Sequence, residues 1–263
     1  MVVWVLEREV FSDGDERLAE AARNSGSRVV TWRDEWWEDG SWPREPDDQV
    51  VFHGSLANAD QIARKLPWTP GAYCSTERFS CSSWWPGLSD VLASKEFAFT
   101  TVAELVVASG PPPSFGERVV VRPDSALKPF SGRVLAAQDI SLAALDHGFY
   151  YDDLDLPVVV GPGAQLGEEW RFVVVDSEIV AGSSYVADGR EAGVSLDASA
   201  TAWSYAAELS RRLSPPDPAY VLDVCVTDRG LRLLELNPFS GADLYDCDRA
   251  LIVAAVERGL GQL

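Results

Sequence analysis

One stretch constrains this chain more than any other: Tyr220-Val-Leu-Asp-Val-Cys-Val-Thr-Asp-Arg-Gly-Leu-Arg-Leu-Leu-Glu-Leu-Asn-Pro238. Two apolar, β-branched runs flank Asp228-Arg229-Gly230, which reads as a three-residue hairpin loop. Such a loop wants a left-handed residue at its third position, and Gly230 supplies it. Pairing Thr227 with Leu231 across the loop puts Asp223 opposite Glu235. Opposed residues of an antiparallel ladder share a face. Asn237 lies two residues beyond Glu235 and joins that face. Two carboxylates and an amide oxygen are thus expected to converge among apolar neighbours. Unpaired buried carboxylates are costly, and a hard cation such as Mg²⁺, which takes oxygen ligands, resolves the cost. A surface hairpin with one polar face is the plainer alternative. If Asp223 and Glu235 repel each other across the ladder, removing either charge is expected to hold or improve fold stability.

Around this hairpin the pattern alternates strands and helices. Val2–Leu6, residues 28–32 and Gln49–His53 read as strands, with helices over Glu16–Asn24 and residues 57–66. Ser12, Asp13 and Asp15 are candidate caps for the first helix, and Gly26 ends it. That rhythm belongs to an open α/β sheet. Trp32, Trp36, Trp37 and Trp42 are expected to pack a small core. Residues 95–109 read as a helix stopped by Pro111-Pro-Pro113. From Val158 onward strands dominate, interrupted by a helix near residues 198–212 and closed by one at 250–258. The expected fold class is α/β (α+β), in three parts: residues 1–87, 88–157 and 158–263.

Two more stretches carry candidate chemistry. In Val119-Val-Val-Arg-Pro-Asp-Ser-Ala-Leu-Lys-Pro-Phe-Ser-Gly132, Arg122 ends an apolar strand and Lys128 sits in the following loop. Cations so placed can hold a polyphosphate. In Gly167-Glu-Glu-Trp-Arg-Phe-Val-Val-Val-Asp176, Glu169 and Arg171 alternate with apolar residues and share a strand face, with Ser183 and Tyr185 expected one strand over. Ligand contacts or an internal salt bridge would both account for them. Gly161-Pro-Gly-Ala-Gln-Leu-Gly167 mimics a dinucleotide glycine motif, but no helix follows it. The cluster Asp243-Leu-Tyr-Asp-Cys-Asp248 reads as a solvated acidic turn.

Composition narrows the function classes. Forty-one Asp and Glu against 22 Lys and Arg give a net charge of −19, which argues against nucleic acid or an anionic membrane as the main partner. A hydrophobic fraction of 46% argues against disorder. Apolar runs are too short to span a bilayer, and no basic signal-peptide region is visible, so a cytoplasmic home is expected. Cys74, Cys81, Cys225 and Cys247 form no CxxC pair and are expected to be reduced and buried.

Taken in order, these pieces resemble the ATP-grasp superfamily, and within it small bacterial and phage members that carry an arginine in place of the second nucleotide lysine. The resemblance covers about residues 88–250 and is most specific at Asp223 followed by Leu234-Glu-Leu-Asn-Pro238. It implies an ATP-grasp fold preceded by a small Rossmann-like domain, with ATP and Mg²⁺ as cofactors. By resemblance Asp223, Glu235 and Asn237 hold the metal. Lys95 and Arg122 match the two nucleotide cations, and Lys128 the phosphate-covering loop. Val160 lies on the strand at the adenine, Glu168 or Glu169 contacts ribose, and Arg171 sits near nucleotide and substrate. The implied reaction joins a small-molecule or peptide carboxylate to an amine through an acyl phosphate, with Lys128 and Arg171 as catalytic cations. It needs no protein nucleophile. A nucleotide-binding protein without ligase activity and a kinase on the same fold are the competing readings. The resemblance departs in the loop 124–132, which has one glycine where many relatives have several.

Overall fold

Period-two alternation builds the first sheet. Strand β1 (Val2–Leu6) sends Val3 and Val5 into one apolar cluster and Trp4 and Leu6 into another. Strand β3 (Gln49–His53) does the same, with Val50 and Phe52 on one side and Val51 on the other. Both faces are therefore covered, as a parallel sheet requires. The computed structural model describes residues 1–11, 15–42, 48–187 and 190–261, and in it β1 pairs in parallel with β2 (Arg28–Thr31) and with β3. The short β4 (Pro70–Gly71) completes the order β2-β1-β3-β4.

The helices α1 (Glu16–Asn24), α2 (Trp36–Asp39) and α3 (Leu56–Lys65) belong with this sheet. Ser55 caps α3 by accepting from the Asn58 amide. Ser12 and Asp13 lie outside the described residues. Asp15 makes no side-chain cap bond to α1; it adopts a left-handed φ of 58°, and its carboxylate lies 3.3 Å from the buried His53 Nδ1. The expected tryptophan core is present, with Trp32 packed edge-on against Trp36, Trp37, Phe52 and Trp68.

The chain divides into two compact units, the first comprising Met1–Ser75, Gly167–Val224 and Glu235–Leu263, the second Thr76–Leu166 and Cys225–Leu234. Besides its parallel sheet, the first unit contains β9 (Glu169–Val175), β10 (Glu178–Ala187), β11 (Arg190–Ser195) and the body of β12 (Ala219–Thr227) and β13 (Gly230–Pro238). Their order is β11-β10-β9-β12-β13. One core joins Trp4 and Leu6 to Val173, Val221, Phe239, Ile252 and Val256, so it includes residues of both sheets and of α6 (Arg249–Leu260). Asp248 caps α6, accepting from the amides of Ala250 and Leu251. Helix α5 (Thr201–Arg212) sets Trp203 edge-on to Phe172.

The second unit carries α4 (Cys81–Trp84) and a four-stranded antiparallel sheet of order β5-β8-β6-β7. Its strands are β5 (Ala98–Thr101), β6 (Arg118–Pro123), β7 (Arg133–Ala136) and β8 (Pro157–Pro162). The helix expected over residues 95–109 is corrected here. Phe97-Ala-Phe-Thr-Thr101 is aromatic and β-branched, and it pairs antiparallel with β8, Ala98 against Val160 and Thr101 against Pro157. Only residues 102–108 are helical, and Glu104–Ala108 is wound as a π-helix. Residues 163–168 are coil and lead into β9, so no helix follows the glycine-rich stretch.

All four cysteines are buried and no disulfide joins them. Burial pushes the Cys74 and Cys247 thiols up to about 12, so both stay protonated near neutral pH. Among the described residues no helix is long and apolar enough to cross a membrane.

Gly182 on β10 tests the packing of the larger sheet. A Cβ there would fall 2.7 Å from the Phe172 ring, whose side chain is fully buried. Gly182→Ala is expected to cost about 1–3 kcal/mol through overpacking, read as a lower denaturant midpoint at unchanged slope.

Candidate functional site

In the first unit, the sequence-predicted acids meet around one arginine. Arg171 on β9 is 8% exposed and Asp223 on β12 is 1% exposed. The guanidinium grips the carboxylate through Nε to Oδ1 at 2.9 Å and Nη2 to Oδ2 at 2.7 Å. Its remaining arm donates to the Asp243 carbonyl at 2.7 Å. Asn237 Nδ2 donates to Asp223 Oδ2 at 3.0 Å. Burial alone would lower the Arg171 pKa, but the Asp223 charge outweighs it and the pKa is raised.

The β9–β10 register explains the rest. Ser183 lies opposite Arg171, so residues 169, 171, 183 and 185 gather at one place. The Tyr185 hydroxyl donates to Glu169 Oε2 at 2.5 Å. The Glu169 pKa is raised, first by burial and then by the Asp223 and Glu235 charges, against the opposing pull of the Tyr185 hydrogen bond and of Arg171. Glu235 is half-buried. Asp223, Glu235, Asn237, Glu169 and Arg171 therefore form one cluster. Glu168 is exposed and precedes β9.

The turn after β13 is not the solvated acidic loop that composition suggests. Tyr245 stacks on Tyr185 with ring centroids 5.0 Å apart and planes 4° from parallel. The Arg171 guanidinium lies 5.5 and 5.0 Å from those two rings. The Asp246 amide donates to Ser183 Oγ, and buried Arg249 donates to the carbonyls of Leu244, Tyr245 and Cys247. A tyrosine amid acidic residues was the one signal of this, and it points nowhere without the partner strand.

Among the described residues no three His, Cys, Asp or Glu side chains surround a common metal point. A cation here would instead rest on two carboxylates and an amide. A carboxylate offers about four lone-pair sites, and Arg171 and Asn237 use three at Asp223. What the cluster offers is hard oxygen from Asp223, Glu235 and Asn237, and that donor set fits Mg²⁺, which takes one or two carboxylates and fills its shell with water and phosphate.

The second unit holds the other predicted residues. Its cavity is lined by Trp85, Leu92, Val120, Arg122, Pro162 and Leu233, among others. Arg122 stands over the Trp85 ring at 5.9 Å. Lys95 is exposed just before β5, and Lys128 follows β6 with a left-handed φ of 49°. The Val160 side chain faces the unit's core rather than the cavity. A Cβ at Gly161 would lie 2.4 Å from Ser94 Oγ and 2.6 Å from the Glu96 carbonyl, so the cavity wall needs glycine there. The hairpin loop serves this wall. Gly230 takes φ of 83°, as its position in the loop required, and Arg229 donates to the carbonyls of Leu92 and Ala93 at 2.9 and 2.8 Å. The Ala93 amide donates to the Leu233 carbonyl.

A model of the ATP-grasp domain, the third family of the clade with arginine for the second lysine, matches residues 63–256. The chain belongs to the ATP-grasp family. Solved structures of similar fold include a RimK domain ATP-grasp protein from Sphaerobacter thermophilus, with 17% identity, TM-score 0.65 and coverage of 98% of this chain and 100% of that one. The ATP-grasp ligase PsnB with a minimal precursor aligns at 13% identity and TM-score 0.63, over 97% and 98% of the two chains. D-alanine–D-alanine ligase from Bacillus anthracis aligns at 14% identity and TM-score 0.59, over 100% and 98%. No functionally curated protein matches the chain by sequence. ATP-grasp ligases use ATP with Mg²⁺, and solved relatives include complexes with ATP and with Mg and ADP.

The Arg171 pairing reverses one expectation. Asp223→Asn leaves a buried guanidinium without its counter-charge, so the variant should lose about 3–5 kcal/mol rather than hold. Glu235→Gln relieves repulsion and should hold or gain. Denaturant titration of both variants separates them. Glu169 gives a pH test. An acid whose folded pKa is raised stabilises the fold while protonated, and that contribution is lost as pH rises through the raised value. Glu169→Gln should therefore melt above the parent at pH 7, and the gap should close as pH falls toward ~4.

Proposed function

We propose that the chain is an ATP-dependent ligase that joins a carboxylate to an amine. The observation that carries this reading is the meeting of Asp223, Glu235 and Asn237 with Glu169 and Arg171 in a chain of this family. Bound Mg²⁺ would rest on Asp223, Glu235 and Asn237 and supply positive charge to the phosphates. Arg122, Lys95 and Lys128 are assigned to the phosphate oxygens, where cations offset the charge that spreads as the γ-phosphoryl group leaves ADP. A substrate carboxylate oxygen attacks the γ-phosphorus, the bond to the β-phosphate oxygen breaks, and an acyl phosphate and ADP result. The amine then attacks the acyl carbon and phosphate departs, leaving an amide. Glu169, one of the two glutamates open for ribose, is preset by Tyr185, while Val160 lends its strand to the base.

Arg171 stays charged at any working pH. Its planar fork suits a carboxylate or an acyl phosphate, and Tyr185 and Tyr245 keep it in place. Peptides and small acids are both open as substrates: the solved relatives include PsnB with a precursor peptide, the macrocyclase MdnC with its precursor peptide, and D-alanine–D-alanine ligase.

The test is ADP release with a panel of amino acids and short peptides as acids, with and without amines. An amide product is expected only when both are present. Glu235→Gln should stay folded and lose at least ~100-fold in turnover, the scale of removing one preorganised electrostatic group. Full ADP release without amine, with a stable phosphoester accumulating, would make the protein a kinase instead. Near-parental turnover in Glu235→Gln would refute the metal assignment.

A further inference from the structure

We propose that Trp85 reads the nucleotide in the second unit, its indole N–H donating to a ring acceptor on the base. The proposal rests on the ATP-dependent reading above and names a contact that reading lacks. Trp85 is 4% exposed, and its Nε1 is buried without a hydrogen-bond acceptor. Buried indole N–H groups normally find a partner, and one left unpaired costs free energy. Such a group in an otherwise well-packed unit marks a place where a ligand atom completes the bond.

The ring cannot turn away to seek another acceptor. Trp84 and Phe97 pack edge-on against it, with centroids 5.9 and 5.3 Å away, and Arg122 stands over it. Trp85 also lines the cavity, where its companions Leu92, Val120, Val134, Pro162 and Leu233 are apolar. Of the cavity-lining residues, Arg122 alone is charged. A wall of this kind suits a flat heteroaromatic ring rather than a phosphate group, whose charge would be poorly compensated against so many aliphatic side chains. A fixed N–H at its edge then selects a ring that presents an acceptor. The guanidinium over the indole gives the same residue a second effect, since Trp85 holds Arg122 at the cavity rim.

The test uses the full-length protein with ¹⁵N-labelled tryptophan, Mg²⁺, and either the non-hydrolysable ATP analogue AMPPNP or inorganic tripolyphosphate. The Trp85 indole resonance is expected to move downfield with AMPPNP and to stay in place with tripolyphosphate. Trp85→Phe keeps an aromatic ring and removes the donor. By calorimetry it should bind AMPPNP about fivefold to tenfold more weakly, the scale of one hydrogen bond, with tripolyphosphate affinity within about twofold of the parent. An indole resonance indifferent to bound AMPPNP overturns the proposal and leaves the ligase reading standing. So does a shift of equal size with tripolyphosphate, which would put the contact on phosphate. A parent protein that binds no nucleotide overturns both.

Discussion

The buried pair between Arg171 and Asp223 is the interaction on which the first unit's site depends. A guanidinium and a carboxylate this deep are stable only because each answers the other in two parallel hydrogen bonds, with Asn237 and the Asp243 carbonyl taking up what remains. The pair joins residues 52 apart in sequence. Around it everything else takes position: Tyr185 and Tyr245 flank the guanidinium, Glu169 leans on the Tyr185 hydroxyl, and the turn after β13 folds inward because its carbonyl is needed as an acceptor. Asp223 thus has two duties, as counter-ion to an arginine and as an oxygen donor, and its chemistry cannot be altered without disturbing the fold.

The second unit follows a different logic. Its cavity is a matter of shape, set by close backbone approach at Gly161 and by an arginine in a hairpin turn that holds the opposite wall. Charge enters only at the edge, where Arg122 lies over an indole. Arg122 is therefore held by a flat surface as well as by electrostatics, which suits a guanidinium better than an ammonium.

Local rules reached a good part of this. Period-two alternation was enough to gather Glu169, Arg171, Ser183 and Tyr185, because β9 and β10 are adjacent in sequence and joined by a short turn. The left-handed glycine of the hairpin was likewise a local matter, and with it the nearness of Asp223 to Asn237. What escaped was long-range or locally ambiguous. Residues 98–101 form an apolar run that fits helix or strand equally well, and only pairing with β8, some sixty positions later, decides it. Asp243 and Tyr245 look like solvated turn residues until the arginine they cover is in place. The Arg171–Asp223 bond itself could not be told from a ligand contact, since either use puts the same two residue types on facing strands.

Neither unit is a continuous segment, since the first is assembled from three stretches of chain and the second from two. The core that covers one face of β1 draws on Phe239, Ile252 and Val256. During synthesis on the ribosome, Trp4 and Leu6 therefore emerge long before the residues that will shield them. One side of the first sheet stays sticky until nearly the whole polypeptide has left the exit tunnel. Chaperone dependence of the nascent chain, and failure of C-terminally shortened forms to accumulate, are written into this order of assembly.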